Sequence, residues 1–218
     1  MKNRYRYMMV IMTLLAILSA LYTYTRVNDE IAVHWGRNGE ADGYAPKQLL
    51  LLFPFLIPAF DLLLKLLFRL EPRKRNMQKS SSGYAVIRLV IGAILCVCTI
   101  FTCLEALFPK KININIVAPF MVGIMIMIIG NVLPKIHSNY IIGIRNPWTL
   151  ENEDIWRKTQ RLSGRLWFGG GALICILALV LPDWYSMLLI FIIFLIILLP
   201  NLYAFYLYQQ MRKEKAHD

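Results

Sequence analysis

Asp61 and Lys65 stand four residues apart inside the apolar run LLLLFPFLIPAFDLLLKLLFR. On a helix this spacing puts a carboxylate and an ammonium on one face, within reach of each other. An ionisable side chain at the bilayer centre costs about 2.5–3.5 kcal/mol on insertion scales, so such a pair either packs or helps to move an ion or solute. Lys65 can extend toward Arg69, and Arg88 toward the start of its own apolar run, so both are expected to snorkel to an aqueous boundary. No polar row continues through the remaining apolar runs. Asp61 is therefore the principal intramembrane candidate.

His34 lies among Asp29, Glu30, Glu40 and Asp42 in the stretch RVNDEIAVHWGRNGEADGYAPK. One imidazole among scattered carboxylates has no metal-ligand spacing, and no motif calls for a cofactor. Cys96, Cys98, Cys103 and Cys175 all fall in apolar runs, without Cys-x-x-Cys spacing, and read as small hydrophobes. No nucleophile–base pair, phosphate loop or carboxylate pair is present, and the expected class is non-enzymatic. The third chemical cluster is YIIGIRNPWTLENEDIWRKTQRLSGRLW, which mixes aromatic residues with charges of both signs.

These clusters are positioned by apolar rods. The chain has 218 residues, 58% of them hydrophobic and only 17% charged. Six runs approach the ~20 residues that cross a bilayer as helix: 7–24, 49–68, 84–107, 114–133, 166–181 and 187–208. The fold expected is an all-α integral membrane protein. Tyr22, Tyr24 and Arg26 stand where a cleavage site would need small residues, so the first run reads as a retained span. Most of the 24 Lys and Arg residues fall on one side of this arrangement, leaving Arg26, Arg37, Lys47, Lys110 and Lys111 on the other. Basic loops resist translocation, so both termini are expected in the cytoplasm of a cell with this protein in its plasma membrane. The net charge of +11 is then topology information, with no direct nucleic-acid partner implied.

The organisation read from the pattern is a helix hairpin over 1–70 with an external loop at 26–47. A basic, solvated cytoplasmic linker over 71–83 and a four-helix membrane unit over 84–218 follow. In the external loop, Ile31, Val33 and Trp35 alternate with Ala32 and His34 as one short strand would, and Asn38-Gly39 is a turn signal. That loop is either a cap on the outer leaflet, anchored by Trp35 and Tyr44, or a recognition surface.

The cytoplasmic loop over 135–165 holds the third cluster. Thr149 is the expected N-cap of a short amphipathic helix along the inner headgroup layer, pinned by Trp148 and Trp156 and ended or bent at Gly164. Glu153–Arg157 and Asp154–Lys158 are its expected i,i+4 pairs. The helix is either an elbow between spans or a docking face. Pro54, Pro58, Pro119 and Pro200 should loosen their spans. Gly123 and Gly130 share a helix face suited to close packing.

The run GIRNPWTLENEDIWRKTQRLSG resembles the hallmark of the SdpI family of bacterial membrane immunity and signalling proteins. The run HWGRNGEADGYAPK resembles an element of the small domain that commonly precedes it. This sequence departs from the family pattern at Asn146, where threonine is expected, and at Gln160, where histidine is expected. The resemblance implies protection against a secreted peptide toxin, with a cytosolic helix-turn-helix repressor as a second partner. The residues it marks outside are His34, Trp35, Gly39, Asp42, Gly43, Tyr44 and Lys47. Inside, they are Gly143, Arg145, Pro147, Trp148, Thr149, Trp156 and Arg161, and Arg157 joins them on the expected docking face. A small exporter and a structural scaffold are the competing classes.

Overall fold

A computed structural model describes residues 2–36, 39–180 and 185–217. The expected Asn38-Gly39 turn rests on Asn38, and the turn after the fifth span on 181–184; both lie outside the described residues, as does Arg37. The chain runs α1 (Lys2–Tyr24), β1 (Glu30–Trp35), β2 (Ala41–Pro46), α2 (Leu49–Arg69), α3 (Lys74–Lys79) and α4 (Ser81–Leu107). It continues with α5 (Ile114–Val132), a 3-10 turn (Leu133–Lys135), α6 (Pro147–Glu151), α7 (Glu153–Val180) and α8 (Tyr185–His217). Six of these helices are long and apolar enough to cross a membrane.

The long helices pack as two groups. In the first, α1, α2 and α4 contact one another pairwise; in the second, α5 packs along α7 and α7 along α8. Contact between α4 and α5 is slighter. The fourth helix therefore packs chiefly with α1 and α2, although the sequence reading grouped it with the second half. Met9, Ala16, Ile57 and Cys96 fill the first group, and Ile126, Ile174, Ile192 and Ile196 the second. Outward positions such as Leu18, Phe55, Leu179 and Ile190 stay exposed, as a lipid-facing surface requires.

The α5–α7 contact is made backbone to backbone. A methyl group added to Gly123 would lie 2.7 Å from the Gly171 carbonyl oxygen, and one added to Gly130 would lie 3.0 Å from that of Gly164. Gly123 and Gly130 thus face Gly171 and Gly164, and only hydrogen fits between the helices. Gly164 was expected to end or bend a helix; instead α7 runs through it unbroken.

α2, α5 and α8 each run through their prolines without breaking. Pro200 has no N–H for the carbonyl of Ile196, four residues earlier. The Trp167 indole N–H of α7 donates to that oxygen at 3.1 Å. The group freed by the proline is thereby satisfied from a neighbouring helix, as hydrocarbon surroundings demand.

Candidate functional site

Two polar assemblies stand at opposite ends of the bundle. The first is a hairpin in which β1 pairs antiparallel with β2, from Glu30↔Pro46 to Trp35↔Ala41, with irregularities on either side of His34. One strand was expected here, and the structure has two. Ile31 is the buried anchor, packed with Ala20, Leu50 and Cys103. Trp35 meets the Phe101 ring of α4 edge-on, with centroids 5.3 Å apart, so it fastens the hairpin to a helix.

Lys47 closes the base of the hairpin. Its backbone N–H donates to the Asp29 carbonyl at 2.9 Å, and its ammonium donates to the Val27 carbonyl at 3.3 Å. Gly39 has φ of 73°, which favours glycine, and it sits against the Asn115 side chain at the start of α5. The groups left outward are His34, Asp42 and Tyr44. His34 Nδ1 and Asp42 Oδ1 lie 2.5 Å apart with both side chains exposed, and Tyr44 is 62% exposed. Gly43 opposes His34, where a side chain would press on the His34 Cβ at 2.9 Å.

The second assembly is the loop from Ile136 to Asn152. Short buried polar side chains hold its backbone as a regular element would. The Asn139 carboxamide oxygen accepts from the N–H groups of Ile141 and Ile142, and its NH2 donates to the carbonyls of His137 and Ile142. Gln160 reaches from α7 to take both backbone groups of Ile144, at 3.1 and 3.0 Å. Gly143 turns beside it with φ of 114°. The loop ends in a capping box: Asn146 Oδ1 accepts from the Thr149 N–H, and Thr149 Oγ1 accepts from the Asn146 N–H.

Asn146, not Thr149, is therefore the N-cap, and its helix α6 stops at Glu151. Asn152 then caps α7 by accepting from the N–H groups of Asp154 and Ile155. The short amphipathic helix expected along the headgroups is thus replaced by this one short turn and by the first turns of a 28-residue helix. Trp156 is 3% exposed, and its indole N–H donates to the Ile136 carbonyl at 2.8 Å. It is a core residue, not an interfacial anchor. Trp148 stacks obliquely on Phe205 and Tyr208 of α8. Arg157 pairs with Asp154 at 2.7 Å, an i,i+3 pair one residue closer in sequence than the expected i,i+4 pairs. Arg145 donates to the Tyr140 carbonyl, and Arg145, Pro147, Arg157 and Arg161 remain exposed.

Sequence reasoning missed what fastens this loop. Glu71, 1% exposed, accepts the backbone N–H groups of Arg73 and Tyr140 on its two oxygens, each at 3.0 Å. Arg73 donates to the Ser138 hydroxyl and to the Leu150 carbonyl, the latter at 2.8 Å. Asn76 Nδ2 donates to the Ser138 carbonyl at 2.9 Å, and Ser80 Oγ accepts from the His137 N–H. The segment expected as a solvated linker is thus a clasp, and α3 is part of it. Glu71, followed at once by Pro72 and Arg73, carries no local signal of this burial.

Asp61 and Lys65 pair as their spacing predicts, at 2.5 Å. Arg88 was expected to snorkel away, but it crosses from α4 to the other Asp61 oxygen, also at 2.5 Å. One carboxylate therefore serves two cations on two helices. Among the described residues, no group of three or more His, Cys, Asp or Glu could hold a metal.

These features define a helical protein with six candidate membrane spans, a folded hairpin at one end and a clasped polar loop at the other. Residues 135–204 match the SdpI/YfhL protein family, and residues 11–57 match DUF1648, a domain of unknown function. The SdpI/YfhL-matching segment thus lies in the C-terminal half of the chain, with the DUF1648-matching segment on its N-terminal side. It is 25% identical to Immunity protein SdpI of Bacillus subtilis (strain 168) over 202 residues, which cover 93% of this chain and 95% of that protein. No solved structure matches the chain.

Proposed function

We propose that this chain is a plasma-membrane immunity protein that protects its cell against a secreted antibacterial peptide. Its hairpin would face outward and its clasped loop the cytoplasm. The observation that carries this reading is the likeness to Immunity protein SdpI, which runs through nearly the whole of both chains. In this reading the peptide meets the exposed His34, Asp42 and Tyr44, while Trp35 and Lys47 hold the platform. The face formed by Arg145, Pro147, Arg157 and Arg161 receives a cytosolic partner, a helix-turn-helix repressor in the arrangement the family resemblance implies. α4 links the two, since Phe101 lies under the hairpin and Gly83 abuts Ile136 at the start of the loop.

The decisive experiment expresses the protein in a strain sensitive to a secreted antibacterial peptide, made by its own kind or by a sibling. Protection that persists when the proton-motive force is collapsed supports binding-type immunity. Normal sensitivity, with the protein stably inserted, overturns the proposal. An exporter is favoured by one observation, the Asp61–Lys65–Arg88 cluster. It predicts protection that vanishes with the energy supply.

A further inference from the structure

A cavity of about 1170 Å³ opens between α1, α2, α3 and α4 at the end where α1 begins and α2 finishes. It is larger than the roughly 300–1,000 Å³ that suits a drug-sized ligand. From Pro58 to Arg69 its α2 wall extends roughly 16 Å at ~1.5 Å per residue. Met9, Val10, Leu14, Pro58 and Phe68 make apolar walls. Among the described residues, the charged groups on its lining are five cations, Arg6, Lys65, Arg69, Lys74 and Arg88, against a single acid, Asp61.

We propose that this cavity binds one anionic phospholipid. Its phosphate would lie among Arg6, Arg69 and Lys74, and its acyl chain would run along α1 toward Leu14. Charge is the first argument. Asp61 can neutralise only one of the two cations it touches, and the Lys65 side chain is still 49% exposed beside it. With Asp61 engaged by Lys65 and Arg88, the lining offers no further acid to Arg6, Arg69 and Lys74 among the described residues, and basic pockets between membrane helices suit anionic headgroups.

Shape is the second argument. Apolar walls of this depth beside a charged rim match an amphiphile with a long tail, whereas free phosphate would leave them uncovered. An acidic peptide would bring backbone groups that those walls cannot satisfy. Tyr84 adds a donor: it lines the cavity, is 3% exposed, and its hydroxyl has no hydrogen-bond partner among the described residues.

The test uses the full-length protein purified in a neutral detergent, offered dioleoyl phosphatidylglycerol or dioleoyl phosphatidylcholine. Native mass spectrometry counts retained lipid. The expected result is one retained phosphatidylglycerol, preferred at least about fivefold over phosphatidylcholine, with a matching rise in melting temperature. The double variant Arg6→Glu, Lys74→Glu should bring the preference close to one, and Arg6→Gln, Lys74→Gln should lower it partway. Lys158→Glu, Arg165→Glu changes net charge equally, away from the cavity, and should keep the preference. Equal retention of the two lipids would overturn the proposal, as would a preference untouched by the Arg6 and Lys74 variants. Displacement of the lipid by millimolar inorganic phosphate, or by an acidic peptide without an acyl chain, would also overturn it.

Discussion

Trp167 of α7 donates its indole N–H to the Ile196 carbonyl of α8, the acceptor that Pro200 leaves free in its own helix. The two residues explain each other. A tryptophan in a span is otherwise expected near the headgroups, and a proline in a span needs a neighbour to satisfy its freed carbonyl.

Trp167→Phe keeps the ring and removes the donor, so it should destabilise the protein by about 1 kcal/mol. Pro200→Ala restores the missing N–H, and in its presence the cost of Trp167→Phe should shrink. Chemical unfolding in detergent of the two single variants and the double variant measures this coupling.

Asp61→Asn would leave Lys65 and Arg88 facing a neutral amide. Removing one partner from a largely buried ion pair costs about 3–5 kcal/mol, and the exposure of Lys65 puts the expected loss near the lower end. Arg88→Gln added to Asp61→Asn should recover part of it. The double variant is therefore the sounder one for asking whether the cluster takes part in protection, because loss of Asp61 alone also weakens the fold. Thermal stability of all three variants checks the order.

Gly171→Ala and Gly169→Ala make a matched pair on one helix. A methyl group at Gly171 would fall 2.5 Å from the Gly123 carbonyl oxygen, whereas one at Gly169 meets nothing within 4 Å. Overpacking the first should cost about 1–3 kcal/mol. The second should be neutral or slightly stabilising, because alanine is the better helix former. Melting temperatures of the purified variants separate them.

Arg73→Ala should release the clasp without touching α7. Three side-chain contacts to Ser138, Leu150 and Tyr140 vanish, while Asn139 and Gln160 keep the inner turns. Amide hydrogen exchange should quicken at residues 136–141 and stay slow at Ile144. Glu71→Gln should quicken Tyr140 specifically, since its N–H is bound by that carboxylate.

The rods were legible because hydrocarbon demands uninterrupted apolar length, and hydropathy alone finds it. The Asp61–Lys65 pair and the packing face of Gly123 and Gly130 were legible because helix period fixes them locally. Arg88 was not, since its partner is 27 residues away on another helix. The second strand, ADGYAP, carries residues that strands usually avoid and is held by the pairing partner β1. Trp156 misled because a tryptophan near an apolar boundary suits an interface and a core equally well; only Ile136 across from it decides. The clasp was invisible for a similar reason. EPRKR has the composition of a solvated segment, and its burial depends on a loop some 65 residues later.

The glycine seam has a mechanical consequence. Backbones in direct contact along α5 and α7 have no side-chain layer to deform, so those two helices move as one body. In the other trio the ion cluster ties α2 to α4. Relative motion is then cheapest along the plane between α4 and α5. The strap from Glu71 to Ser80 bridges that plane, so any sliding of the trios strains this strap first.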